Sequence, residues 1–286
     1  MKTSGEHCSD LEFSSCISEK YKEQADISVE LNASVTRLFK GFRVVIQPQV
    51  LAESGKIFGG EVLLRWKNRD VDVSPNIFIP ILEQTGLIVP VGKWMINESI
   101  AVCREILHIY PNFQLSFNIS YLQLIDETLS LFIQNALETF EVPGENILIE
   151  LTETHFNSHP ERLENFIKQC KEIGIRFALD DFGSAYSNLL LLLKYSADII
   201  KLDRELLRET VTSQEKLDFI MSIIQACHKF GKKICVEGVE TKEELEKIQG
   251  TKCDFIQGYY FYKPLELDEL YSTLKKEKER PSVDPA

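Results

Sequence analysis

Two adjacent aspartates, Asp180 and Asp181, directly follow an apolar segment, 175–179, that is predicted to be a strand. Neighbouring carboxylates repel each other, so a buried pair needs a cation if both groups are to stay charged. A divalent metal ion with hard oxygen ligands would meet that need. The alternative is that both are ordinary turn residues, because aspartate favours turns without any metal. The pair indicates a metal site only if other strands end in similar residues.

Other apolar segments of the chain do carry polar residues at or near their ends. Carboxylates that converge on one spot cannot all stay ionised without cations. An oxygen-only set that includes one amide suits Mg²⁺ or Mn²⁺ better than zinc or copper. Two such ions about 4 Å apart would clamp the attacking and leaving oxygens of a phosphoryl displacement. The polar residues at these strand ends are Glu61, Asn118, Glu150, Asp180, Asp181, Lys201, Glu237 and Gln257, and Asn118 is the amide of the possible ligand set.

Two basic residues in or near this set have alternative roles. Lys201 could neutralise phosphate charge or orient a water molecule, and it could equally form a salt bridge to a nearby carboxylate. Arg65 could bind a phosphate oxygen, or it could form an ion pair at the rim of the fold.

The first two strands are predicted to form a hairpin. Segments 42–50 and 56–66 are rich in strand-forming residues, and Glu53-Ser54-Gly55 between them is a turn signal. This connection is too short for a parallel crossover, so the pair must be antiparallel. Folding about Ser54 places Gln47 opposite Glu61, near a shared site.

Helices and strands then alternate along the chain. This rhythm predicts a modified TIM (β/α)8 barrel with an antiparallel first strand, in which functional residues lie at the C-terminal ends of the strands. An open α/β sheet is the alternative, but no glycine-rich dinucleotide loop supports it. Strands are expected at 114–120, 146–151, 175–179, 197–202, 233–236 and 253–256, and helices at 27–39, 75–84, 92–109, 125–140, 160–173, 189–195, 214–230, 242–248 and 268–278.

Composition narrows the class of protein. The 286-residue chain has a formal net charge of -12, which argues against binding to a nucleic-acid polymer. Its seven cysteines contain no C-x-x-C pair and its five histidines show no zinc-type spacing. It has no apolar run of membrane-spanning length and no signal-peptide core, so a cytoplasmic protein without membrane contact is expected. The expected organisation is a flexible segment at 1–28, one domain at 29–278 and a disordered tail at 279–286.

The chain resembles the EAL domain family of cyclic-di-GMP phosphodiesterases over residues 42–267. The resemblance implies a hydrolase with two Mg²⁺ or Mn²⁺ ions that converts cyclic-di-GMP to linear 5′-pGpG, on a TIM barrel whose first strand is antiparallel. The matching motifs are Glu61-Val62-Leu63-Leu64-Arg65-Trp66, 75–88, Phe117-Asn118-Ile119-Ser120, Glu150-Leu151-Thr152-Glu153, Asp180-Asp181-Phe182-Gly183, Ile200-Lys201-Leu202-Asp203, Glu237-Gly238-Val239-Glu240 and Gln257-Gly258-Tyr259.

The resemblance also implies roles for individual residues. Lys201 would hold the attacking water, and either Glu237 or a metal-bound hydroxide would take the proton. Glu153 would anchor the loop after Asp181, and Glu240 would support the metal ligands without touching the ions. One metal would be held by Glu61, Asn118, Glu150 and Asp180, the second by Asp180 as a bridge with Asp181 and Glu237, and the dinucleotide site would be lined by Gln47, Leu64, Arg65 and Gln257.

A homodimer formed through residues 184–194 is a further implication of the resemblance. Within that segment Ala185 stands where the family often has glycine, and at a position with positive φ alanine would cost about 1 kcal/mol. A catalytically silent receptor or protein-interaction module is the alternative function. A different metal-dependent barrel enzyme, such as an aldolase, has only the fold in its favour.

Overall fold

Eight strands close into a barrel in the computed structural model, which describes residues 24–151, 160–182, 197–210 and 213–279. The first strand is antiparallel to its neighbour β9, while the successive pairings from β2 through β4 to β9 are parallel, so the predicted modified TIM barrel is confirmed. The strands are β1 (Phe42–Leu51), β2 (Ile57–Asn68), β3 (Val71–Val73), β4 (Gln114–Asn118), β5 (Ile147–Leu151), β6 (Arg176–Phe182), β7 (Ile199–Leu202), β8 (Lys233–Glu237) and β9 (Phe255–Gln257). Of these, β3 is not a barrel strand and pairs antiparallel with the last three residues of β2.

Helices follow most of the strands. Within the described ranges, no helix is long and apolar enough to cross a bilayer. The helices are α1 (24–36), α2 (Pro75–Gln84), α3 (Ile88–Ile109), α4 (Leu129–Phe140), α5 (Pro160–Glu172), α6 (Arg204–Thr210), α7 (Gln214–Lys229), α8 (Lys242–Gln249) and α9 (Leu267–Glu279).

The chain forms two compact units. Of the described residues, one unit comprises 24–43 and Arg65–Val91, and the other comprises Val44–Leu64 and those from Gly92 onward. In the first unit, the rings of Phe42, Trp66 and Phe78 lie 6.0–6.3 Å apart, and the Trp66 indole donates a hydrogen bond to Ser34 Oγ at 3.1 Å. These aromatic contacts form the core of that unit.

The predicted hairpin is present in the second unit. The Leu51 N–H donates to Lys56 O at 2.8 Å, and the Gly55 N–H donates to Leu51 O at 2.8 Å, so the chain reverses where the turn was predicted. The Gln257 amide donates to both Glu61 and Gln47, which places these two residues at one site.

Several element boundaries differ from the prediction. Helix α3 begins at Ile88 rather than at Gly92, because Pro90 lacks only an N–H that the first turn does not use. The stretch before α4 is a 3-10 turn, Tyr121–Ile125, with a capping box between Ser120 and Gln123, so α4 begins only at Leu129. Elements β3 and α6 were not predicted, and the helix predicted at 189–195 lies outside the described residues.

Side chains inside the barrel form layers, because alternate residues of a strand point to the same face. In five strands, an apolar residue of one buried cluster precedes a polar residue by two positions. This apolar layer supports a polar layer nearer the C-terminal ends of the strands. The apolar members are Leu148, Ala178, Ile199, Cys235 and Phe255, and the corresponding polar residues are Glu150, Asp180, Lys201, Glu237 and Gln257.

Gly258, directly after β9, should be intolerant of any side chain. A Cβ atom there would lie 2.0 Å from Val239 O and 2.5 Å from Val239 N, which are backbone atoms that cannot swing away. We expect Gly258→Ala to lower the free energy of unfolding by roughly 1–3 kcal/mol or more, as overpacking does. Urea denaturation followed by circular dichroism would measure the loss.

Gly250→Ala is the matched control for that substitution. Its φ is -69°, and a Cβ atom would meet nothing closer than Lys247 O at 3.6 Å. Equal stabilities of the two variants would show that the backbone around Gly258 is not packed as described.

Candidate active site

The ammonium group of Lys201 lies at the centre of the polar layer. Its side chain is 2% exposed, and its Nζ lies 2.6 Å from Glu150 Oε2 and 2.7 Å from Glu237 Oε1. Asp180 Oδ1 lies 3.1 Å from Nζ and Glu61 Oε2 lies 3.4 Å away. One buried cation is therefore surrounded by four carboxyl groups.

Two side-chain amides complete the cluster. Asn118 Nδ2 donates to Glu61 Oε1 at 2.8 Å and to Glu150 Oε2 at 3.3 Å. Gln257 Nε2 donates to Glu61 Oε2 at 2.7 Å and to Gln47 Oε1 at 3.4 Å. The Glu61 carboxyl group thus receives N–H donors on both oxygens, so its plane is fixed from several directions.

Burial and crowding shift the pKa values of this cluster. Burial raises the pKa of Glu150 well above its usual range, and the neighbouring Glu61 adds to the rise. Burial likewise raises the pKa of Glu237 to about 8, although Lys201 opposes the shift. Burial alone would lower the pKa of Lys201, but the surrounding carboxylates, led by Asp180, raise it well above its usual range. A single ammonium is too little positive charge for four carboxylates.

Strand β6 has two consecutive aspartates near its C-terminal end, and its pairing with β7 is irregular at that point. Adjacent residues of a regular strand point to opposite faces, but the pairing of β6 with β7 shifts register between Leu179 and Phe182. Asp181 has φ 54°, a left-handed conformation that aspartate tolerates better than most residues. Its N–H donates to Asp180 Oδ1 at 3.0 Å, and partial burial together with Asp180 and Asp203 raises its pKa to about 6.

The oxygen donors fit a divalent cation chemically, but their present arrangement is closed around Lys201. In the described ranges, no group of three or more histidine, cysteine, aspartate or glutamate side chains has metal-binding geometry. Among the described residues, two carboxylate oxygens of the cluster lack a hydrogen bond of good geometry. Glu150 Oε1 has no donor, and Glu237 Oε1 has only the ion-pair contact with Lys201 Nζ at 2.7 Å. An unpartnered buried oxygen calls for an explanation, and a role as a ligand of a cation is one.

The remaining predicted residues lie in different places. Leu64 is buried in β2 within the second unit, while Arg65, half-buried, belongs to the first unit. Glu153, Ala185 and the segment 184–194 lie outside the described residues.

An ion pair not anticipated from the sequence holds the loop that carries Glu240. The Glu240 carboxylate contacts the Arg204 guanidinium, and the Glu240 N–H donates to Glu244 Oε2 at 2.7 Å. Arg204 begins α6, three residues after Lys201, so the pair joins the segments that follow β7 and β8. Arg204 directly follows the Ile200-Lys201-Leu202-Asp203 motif, but this position does not indicate Glu240 as its partner.

Comparison with known proteins identifies the family. The family model described as EAL domain matches residues 31–264, most of the chain. The chain belongs to the EAL domain family. Among curated proteins, it is 34% identical over 221 residues to the probable cyclic di-GMP phosphodiesterase PdeG of Escherichia coli K12, covering 77% of this chain and 44% of PdeG. It is 30% identical over 226 residues to the cyclic di-GMP phosphodiesterase RocR of Pseudomonas aeruginosa, covering 78% of this chain and 57% of RocR.

Solved structures of EAL proteins have the same fold as this chain. The complex of the PaMucR phosphodiesterase with c-di-GMP superposes with a TM-score of 0.79 at 28% identity, covering 86% of this chain and 99% of that one. An EAL domain protein from Listeria monocytogenes superposes with a TM-score of 0.73 at 27% identity, covering 86% and 96% of the two chains. The chain spans 29–38% of the length of three further curated relatives that it matches.

Removing the central cation should destabilise this EAL domain strongly. Lys201→Met leaves four crowded carboxyl groups without their buried partner, and breaking buried ion pairs in this way costs about 3–5 kcal/mol. Urea denaturation of the protein in a chelating buffer at neutral pH would measure the loss.

Lys93→Met provides the matched control. Lys93 Nζ lies 2.5 Å from Asp126 Oδ2, but both side chains are partly exposed, so this substitution should cost no more than about 1 kcal/mol. If the two lysine variants lost equal stability, the charge cluster would not be the tightly coupled unit that its distances indicate.

Proposed function

We propose that this EAL domain is a metal-dependent phosphodiesterase that hydrolyses cyclic-di-GMP to linear 5′-pGpG. The observation that carries the proposal is the convergence of four carboxyl groups, two amides and one ammonium at the C-terminal end of the barrel. The names of PdeG and RocR support the activity, and the PaMucR complex supports cyclic-di-GMP as the substrate.

The proposed metal ligands come from both halves of the cluster. Glu61, Asn118, Glu150 and Asp180 would hold one Mg²⁺ or Mn²⁺ ion, and the unpartnered Glu150 Oε1 favours that assignment. Asp180 would be shared with a second ion held by Asp181 and Glu237. When bound, the ions would supply Lewis-acid stabilisation of negative charge on the phosphoryl oxygens.

Lys201 and Glu237 are proposed to act on the water. The Lys201 ammonium would donate an N–H to the water oxygen and aim a lone pair at phosphorus. Glu237, 2.7 Å from Lys201 Nζ, would accept the proton that the water loses. The new bond would join the water oxygen to phosphorus, the bond to the 3′ oxygen would break, and that oxygen would take up a proton from the solvent. The phosphate stays on the 5′ side, which gives 5′-pGpG.

Substrate binding is assigned to side chains around the cluster. Gln47 and Gln257 are buried beside Glu61, where their amides could contact a phosphate or a guanine edge. Leu64 and Arg65 are assigned to substrate binding from the family resemblance. The same resemblance gives Glu153 the role of anchoring the loop after Asp181 and Glu240 the role of supporting the metal ligands. A cytoplasmic homodimer, formed through 184–194, has the same support.

Asp180→Asn tests the assignment most simply. Loss of the shared carboxylate should lower kcat/KM by more than about 100-fold, the upper range for residues that only support metal ligands. The assay follows conversion of cyclic-di-GMP to 5′-pGpG by chromatography with Mg²⁺, with Mn²⁺ and with Ca²⁺.

Asp198→Asn is the control, because Asp198 lies at the opposite ends of β6 and β7 and accepts a hydrogen bond from the Phe177 N–H at 2.9 Å. It should retain activity. Binding of cyclic-di-GMP by the unsubstituted protein without hydrolysis would contradict the proposal and identify a receptor instead.

A further inference from the structure

Gln49 lies beside the cluster but was not among the predicted site residues. The antiparallel register of β1 and β9 pairs Val50 with Ile256 and Leu51 with Phe255, so continuing it by one residue places Gln49 opposite Gln257. Both side chains are buried, at 3% and 6% exposure. Gln49 Nε2 donates to Gln257 Oε1 at 2.6 Å, the shortest of the side-chain amide contacts around the cluster.

The hydrogen bonds form a chain in which Gln49 donates to Gln257 and Gln257 donates to Glu61. Glu61 presents only oxygens to Gln257, so Gln257 must turn its NH2 group toward Glu61, at 2.7 Å. Its carbonyl oxygen then faces the other way and needs a donor, because a buried acceptor without one is costly. Gln49 supplies that donor.

We infer that Gln49 is a positioning residue that fixes the orientation of the Gln257 amide and, through it, the Glu61 carboxylate. The inference deepens the proposed function, since Glu61 is a proposed metal ligand there. Removing a residue that hydrogen-bonds to a metal ligand and orients it typically lowers metal affinity or activity by about 10–100-fold. The orientation itself exists in the metal-free chain and can be observed without any catalysis.

Three substitutions separate donor chemistry from simple packing. Gln49→Met keeps the length of the side chain and removes the donor. Gln49→Glu keeps the shape but offers only acceptors, so Gln257 would have to turn its NH2 group away from Glu61. Gln49→Lys keeps an N–H donor and should rescue the function that the other two variants lose.

The first measurement is the side-chain amide resonance of Gln257 in the metal-free protein, assigned by its disappearance in Gln257→Met. It should move toward the position of a free amide in the Met and Glu variants and stay near its original position in the Lys variant. The second measurement is Mn²⁺ affinity by titration calorimetry, which should fall by about 10–100-fold in the Met and Glu variants.

An unchanged Gln257 resonance or an unchanged Mn²⁺ affinity in the Met and Glu variants would overturn the inference. A purely structural role would instead lower the unfolding midpoint of all three variants without separating Lys from Met. If the unsubstituted protein fails to hydrolyse cyclic-di-GMP, the proposed function fails, while the resonance still tests whether Gln49 orients Gln257.

Discussion

The burial of Lys201 among four carboxyl groups is the interaction on which the rest of this domain depends. Charges removed from water lose their hydration, and their mutual attraction repays that loss only when geometry and hydrogen bonds are favourable. The barrel provides both conditions. Its apolar layer holds the strands in register beneath the cluster, and the amides of Asn118 and Gln257 donate to the two oxygens of Glu61. The stability of the fold and the proposed chemistry of the site therefore depend on the same side chains.

Charge balance links this arrangement to cations. Burial raises the pKa values of Glu150 and Glu237, so additional positive charge would be needed to keep both carboxyl groups ionised. A barrel interior selected only for stability would use apolar residues at these positions, because well-packed replacements of buried ion pairs are often more stable. The excess of acceptors, with Glu150 Oε1 left unpartnered, is better explained by a function that requires positive ions.

The sequence predicted the barrel and its antiparallel first strand because both depend on local patterns: alternating apolar segments and a turn too short for a crossover. It also predicted which strand ends carry acidic residues. It did not predict the left-handed Asp181 and the register shift beside it, since these arise from pairing with β7. Gln49 and Arg204 were missed for the same reason. Their partners, Gln257 and Glu240, are distant in sequence, and nothing in the neighbouring residues indicates either contact.

The most direct test is the number of divalent ions bound at this cluster. Titration of Mn²⁺ into the metal-free protein, in the presence of cyclic-di-GMP and at a temperature where turnover is slow, would give that number. Two ions per chain are expected, with binding greatly weakened in Glu150→Gln, which removes one oxygen ligand and preserves the shape of the side chain. Absence of Mn²⁺ binding, or equal binding by Glu150→Gln, would contradict the assignment of the Lys201 cluster as a metal-dependent active site.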